Sequence, residues 1–97
     1  MKWDNWIETL LELRRQHVSQ VRAFYTNEAN ILANLNRLYR LELAELTCPL
    51  NYAKKVNDHI CELKQLGVER IQRYQAVRKR QSEEVYNLLR CKSLAGQ

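Results

Sequence analysis

Pro49 is the only proline among 97 residues, and it stands at the midpoint of the chain. Only two glycines, Gly67 and Gly96, accompany it. Strands and tight turns draw on residues of this kind, whereas ordinary usage is roughly 7% Gly and 5% Pro. A sequence with so little punctuation reads as long helix on either side of one break. Proline supplies that break, because it lacks an N–H and disfavours helix at the residue before it.

The apolar residues on both sides recur at three- and four-residue steps. Trp6, Ile7, Leu10, Leu13, His17, Val21, Phe24, Ile31, Leu35 and Leu38 mark the stripe of a first helix at about 5–46. Asp4 or Asn5 can cap it, with Glu8 placed as in a capping box. Such a helix is roughly 60 Å long at 1.5 Å per residue. Thr47-Cys48-Pro49-Leu50-Asn51 is the expected loop, with Asn51 or Thr47 capping the next helix. The second helix is expected at about 52–92, with Val56, Ile60, Leu63, Ile71, Tyr74, Val77, Val85, Leu88 and Cys91 on its stripe. Gly67 interrupts it at about 1 kcal/mol against Ala and marks a place for close backbone approach. Residues 93–97 are expected to fray, with Gly96 as a late stop.

The fold class is therefore all-α: an antiparallel two-helix, coiled-coil-like hairpin forming a single domain over 1–97. Pivoting at Pro49, it should oppose residues whose numbers total about 98. On that diagonal Ile7 meets Cys91, Leu10 meets Leu88, Phe24 meets Tyr74 and His17 meets Gln81. The charges also match, with Glu28 opposite Arg70, Arg14 opposite Glu84, Arg15 opposite Glu83 and Arg40 opposite Asp58. Arg37 falls near Glu62, and Glu42 and Glu45 near Lys54 and Lys55. Exposed pairs of this kind contribute little energy, but they fix register and orientation.

A two-helix hairpin buries one stripe per helix, a thin core for a chain that is 45% apolar. Leu11, Val18, Tyr25, Leu32 and Tyr39 form a second stripe on helix 1 at seven-residue spacing. Leu41, Leu43, Leu46 and Leu50 crowd the loop, and Trp3, Trp6, Leu89 and Leu94 the open end. Left in water, this surface exceeds what soluble monomers carry. The expected remedy is a four-helix bundle, made as a dimer or with another helical protein.

Net charge is +5. Residues 1–51 balance six cations against six anions, so the excess lies wholly in 52–97. Arg73, Arg78, Lys79 and Arg80, with Arg22 across the diagonal, form a basic cluster suited to phosphates of nucleic acid or to an acidic protein. Chemistry is otherwise sparse. His59 and Cys61 are two apart and diverge on a helix, short of the four convergent ligands of structural zinc. No glycine-rich phosphate loop or nucleophile–base set is present, so neither cofactor, metal nor catalysis is expected. Cys48 is expected to be exposed and Cys91 buried. An odd count of three, with Asp4 and Glu8 where a signal peptide would be apolar, points to reduced thiols in the cytoplasm. No run approaches the ~18 apolar residues of a membrane span. The expected function is non-enzymatic: a helical interaction module such as an adaptor, chaperone-like partner or assembly subunit. The alternative is a small dimeric nucleic-acid-binding regulator using the basic cluster.

Overall fold

A computed structural model of the chain describes residues 2–95, with side chains described from Asn5 to Cys91. It is all-helical, with α1 at Lys2–Ala44 and α2 at Pro49–Ala95, and no strand among the described residues. None of the described helices is long and apolar enough to cross a membrane.

Both helices begin earlier than expected. Asp4 and Asn5 lie inside α1 and do not cap it; the Asn5 carbonyl accepts a hydrogen bond from Thr9 Oγ1 at 2.7 Å. Pro49 is the first residue of α2 and not the centre of a loop over 47–51. At the first helical position the missing proline N–H is one the helix leaves unbonded anyway, and the ring presets φ. Cys48 takes the capping place expected of Asn51 or Thr47, its carbonyl accepting from Tyr52 N–H at 3.0 Å. At the other side of the break, Leu46 N–H donates to the Leu43 carbonyl at 3.2 Å. α2 also continues past 92 to Ala95, where the sequence predicts fraying from 93; Trp3, Leu94 and Gly96 lie outside the described side chains.

The chain forms two compact units. Unit 1 joins residues 1–24 to residues 74–97, and unit 2 comprises residues 25–73. Within unit 1 the helix segments run antiparallel: Phe24 meets Tyr74 with ring centroids 5.7 Å apart, while His17 meets Gln81 and Glu84. Within unit 2 they do so again, from Glu28 against Arg73 to Tyr39 and Glu42 against His59. These pairs keep the predicted diagonal to within one helical turn.

The interior of each seam is the main departure. The buried side chains among those described are His17, Glu28, His59, Gln81 and, alone among the apolar ones, Tyr39. Ile7, Leu38, Ile60 and Ile71, placed on the seam by periodicity, remain exposed, and so does Cys91. Two helices touch along one line, so an aliphatic side chain gains a neighbour on only one side. A longer polar side chain reaches across and is covered by the residues it bonds.

Tyr39 is a second correction. Seven-residue spacing groups it with Leu11, Val18, Tyr25 and Leu32, all of which are exposed, yet it is buried in the seam of unit 2. An α-helix has 3.6 residues per turn, so a seven-residue series drifts about 20° per step. Within unit 2, the two steps from Tyr25 to Tyr39 rotate the series by about 40°, from the flank toward the seam. Gly67 is half-buried, and a Cβ built on it would meet nothing within 4 Å, so the close approach expected there does not occur inside the chain.

Candidate functional site

The buried polar residues fall in layers. They are His17 and Gln81 in unit 1 and Glu28 and His59 in unit 2, where the buried Tyr39 lies eleven residues, or three helical turns, beyond Glu28 on α1. In unit 1, Gln81 uses its whole side-chain amide. Nε2 donates to the His17 carbonyl (3.1 Å) and to Gln20 Oε1 (3.0 Å), while Oε1 accepts from Arg78 Nη1 (2.7 Å). The expected meeting of His17 and Gln81 is therefore made through the His17 backbone. The imidazole turns to Glu84 (Nε2 to Oε2, 3.0 Å), displacing Arg14 from that carboxylate. Arg15 pairs with Glu12 in its own helix and not with Glu83.

In unit 2, Arg73 chelates Glu28 through Nε (2.8 Å) and Nη2 (2.7 Å), taking the place expected of Arg70. Tyr39 stacks on His59 at 3.7 Å and 16°, and His59 Nε2 bonds Glu42 Oε2 at 2.8 Å. Lys55 approaches the same oxygen at 3.4 Å, as the charge matching predicts. The Tyr39 hydroxyl is buried without a hydrogen bond of ordinary geometry. Burial, and then the Glu62 carboxylate beside it, push its pKa up to about 12.

Two of these carboxylates sit below their ordinary 4.5. The Arg73 hydrogen bonds hold Glu28 down against the opposing effect of burial, with Arg70 adding a longer-range attraction. For Glu42 the His59 hydrogen bond comes first and Lys55 assists. A folded pKa below the unfolded one contributes stability that is fully present above the unfolded value and is lost as pH falls through the folded value. Urea midpoints should therefore drop as pH is lowered below 4.5. Glu28→Gln and Glu42→Gln should each flatten that limb; an unchanged acid limb in both variants would contradict the assignment.

The layers also define two unlike faces. A residue just C-terminal to a seam position lies about 100° further round its helix, and in an antiparallel pair such residues on both helices share one side. In unit 1 these are Ile7, Leu11, Arg14, Val18 and Arg22 on α1 with Arg78, Ser82, Tyr86 and Leu89 on α2. In unit 2 they include Leu32 and Arg40 with Ile60, Lys64 and Ile71. No acid occurs in either set. The residues just N-terminal to seam positions carry most of the acids: Glu12 and Glu84 in unit 1, with Gln16, Gln20 and Arg80, and Glu42, Asp58, Glu62 and Glu69 in unit 2, with Asn34, Leu38 and Lys55. A shallow open groove on the acidic side of unit 1 is lined by Asn5, Glu8, Thr9, Glu12, Leu13, Gln16, Glu84 and Leu88. Neither it nor the shallow depression at Lys79, Ser82, Glu83, Tyr86 and Asn87 encloses a substrate-sized cavity.

The basic cluster is dispersed by this geometry. Arg73 is engaged with Glu28 and, at 3.9 Å, with Glu69; Arg80 lies 4.0 Å from Glu84; Arg78 bonds Gln81. Consecutive residues 78, 79 and 80 diverge by about 100° each, so they do not make one stripe. Among the described residues, Arg22 and Lys79 have no carboxylate within 4 Å. No three His, Cys, Asp or Glu side chains converge among the described residues. Cys48, Cys61 and Cys91 are all free and exposed, and backbone N–H groups of Asn51 and Leu50 at the start of α2 hold the Cys48 thiol below its usual pKa.

No protein family, curated protein or solved structure matches the chain.

The polar layers carry a signal in the sequence that periodicity alone passes over. His17-Val-Ser-Gln-Val-Arg-Ala-Phe24 and His59-Ile-Cys-Glu-Leu-Lys-Gln-Leu66 match in type at nearly every position. The same offset of 42 residues carries Glu42 to Glu84. Each histidine pairs with the glutamate of the other copy, His17 with Glu84 and His59 with Glu42. The two units are thus built on one repeated pattern.

Proposed function

We propose that the chain is a non-enzymatic helical interaction module, an adaptor or assembly subunit that works by packing its helices against another helical surface. In this reading it is one antiparallel hairpin that completes a four-helix bundle, in a reducing compartment such as the cytoplasm. One observation carries the reading: Leu11 (52%) and Val18 (43%) in unit 1, and Tyr25 (57%) and Leu32 (38%) in unit 2, are exposed, while a single apolar residue among those described is buried. Apolar surface left out of the seam on this scale is the mark of an interface. The three exposed thiols support a reducing setting.

Size-exclusion chromatography with light scattering, run together with thermal unfolding, tests this. The isolated chain should either self-associate at micromolar concentration or, as a monomer, melt broadly and bind a hydrophobic dye. A monodisperse monomer with a sharp transition and no dye binding would overturn the proposal.

A further inference from the structure

An interaction module still has to select its partner, and the face of unit 1 beside the seam narrows that partner's chemistry; the inference rests on the interaction reading. Along α1, Leu11, Arg14, Val18 and Arg22 succeed one another at steps of three and four residues, one line of a helix surface about 16 Å long. Arg78 and Leu89 of α2 lie on the same side. Leu11, Val18 and Leu89 are exposed. Among the described residues, no carboxylate lies within 4 Å of Arg14, Arg22 or Arg78, and none stands just C-terminal to a seam position on this face. Glu8, Glu12 and Glu84 line the groove on the opposite side, and Glu83 lines the depression beside Ser82 and Tyr86, away from the α1 line.

We propose that this face docks an amphipathic helix of a different protein, one whose apolar stripe is interleaved with carboxylates. The interleaving separates this occupant from the alternatives. A second copy packed face to face would set arginine against arginine, with no acid on either side, which is repulsive. A lipid surface would receive from this line only two aliphatic side chains, Leu11 and Val18, which is little apolar area to insert. Among the described residues, Tyr86, 64% exposed, is the one ring that this face sets beside Leu11, Val18 and Leu89, whereas strand binding uses several rings on which successive bases stack. A helix presenting Glu or Asp at three- and four-residue spacing between apolar residues satisfies both components of the line. Unit 2 keeps half of the arrangement: Ile60 and Lys64 take the positions of Val18 and Arg22 within the 42-residue repeat, while Ala53 and Val56 stand at those of Leu11 and Arg14.

The test is a displayed library of amphipathic helical peptides with a fixed Leu/Ala stripe and flanking positions randomised among Glu, Gln and Lys, selected on the full chain. Glu should be enriched at positions between the apolar residues. The selected peptide, titrated by fluorescence anisotropy, should lose at least ~10-fold in affinity on Arg14→Glu with Arg22→Glu, roughly a 1.4 kcal/mol loss. Glu12→Gln on the opposite face should leave affinity unchanged. Enrichment of Lys or Gln, or indifference to the double reversal, overturns the acidic partner while the interaction module stands. A homodimer in light scattering that Leu11→Glu dissociates assigns the face to a second copy, with the same consequence. Co-sedimentation of the chain with phosphatidylglycerol vesicles, abolished by Leu11→Glu, would assign it to lipid and likewise overturn the proposal. If no peptide is enriched and the chain is a sharply melting monomer, both readings fall.

Discussion

Arg73→Met is expected to lower the urea midpoint of the chain severely, to roughly half its parent value, because it strands a charge in the seam. Glu28 is only 7% exposed and receives two short hydrogen bonds from one guanidinium. With Arg73 truncated, the carboxylate must remain charged without its partner or take up a proton, and either course destabilises the fold. The contact of Arg73 with Glu69 is at 3.9 Å and near the surface, so its loss adds little. Adding Glu28→Leu to Arg73→Met should restore most of the midpoint, since two apolar side chains of similar size replace the pair without leaving a charge behind. The acid limb below pH 4.5 should shrink in the double variant, because Glu28 no longer takes up a proton there. If the double variant is no more stable than Arg73→Met alone, the pair is not the unit that holds this layer. Lys in place of Arg73 should recover only part of the loss, because an ammonium cannot form the two-pronged contact.

Much of this arrangement is legible in the amino-acid sequence. The scarcity of glycine and proline dictates two helices, and the diagonal about Pro49 places His17 near Gln81 and Phe24 near Tyr74, as observed. Four matters escape it, each for a physical reason. Proline breaks a helix in its interior, but at the first helical position it is also a starter, so the break lies at 45–48. The diagonal pairs charges straight across, whereas long side chains on antiparallel helices reach a turn further; hence Arg73 and not Arg70 meets Glu28, and His17 and not Arg14 meets Glu84. Seven-residue spacing makes the stripe of Leu11, Val18, Tyr25, Leu32 and Tyr39 look straight, and the drift of a 3.6-residue helix moves its last member inward. The flank of α1 stands out in the sequence as unspent apolar surface. Its charge does not, because the basic cluster is conspicuous only along the run of α2. Residues adjacent in sequence part by about 100° on a helix, and the cations that share a side are Arg14, Arg22 and Arg78.

Tyr39→Ala is the other substitution with a large expected effect, and Tyr39→Phe is its control. Tyr39 is the one buried apolar residue among those described, and its ring lies flat on His59. Truncating a large buried ring removes its transfer free energy and leaves a gap, typically ~3–5 kcal/mol. A chain of this size has only about 5–15 kcal/mol to lose. The loss should also reach Glu42, whose hydrogen bond depends on where the Tyr39 ring holds the imidazole. The hydroxyl contributes differently. It is buried without a hydrogen bond of ordinary geometry, a state that is itself unfavourable. Phe keeps the ring and deletes the stranded group, so Tyr39→Phe should change stability by less than about 1 kcal/mol and in the favourable direction. Spectrophotometric titration supplies an independent check. One of the five tyrosines should ionise last, near pH 12, and that late step should vanish in Tyr39→Phe. If Phe costs as much as Ala, the hydroxyl is bonded after all, and Glu62, the carboxylate beside it, is the partner to remove next.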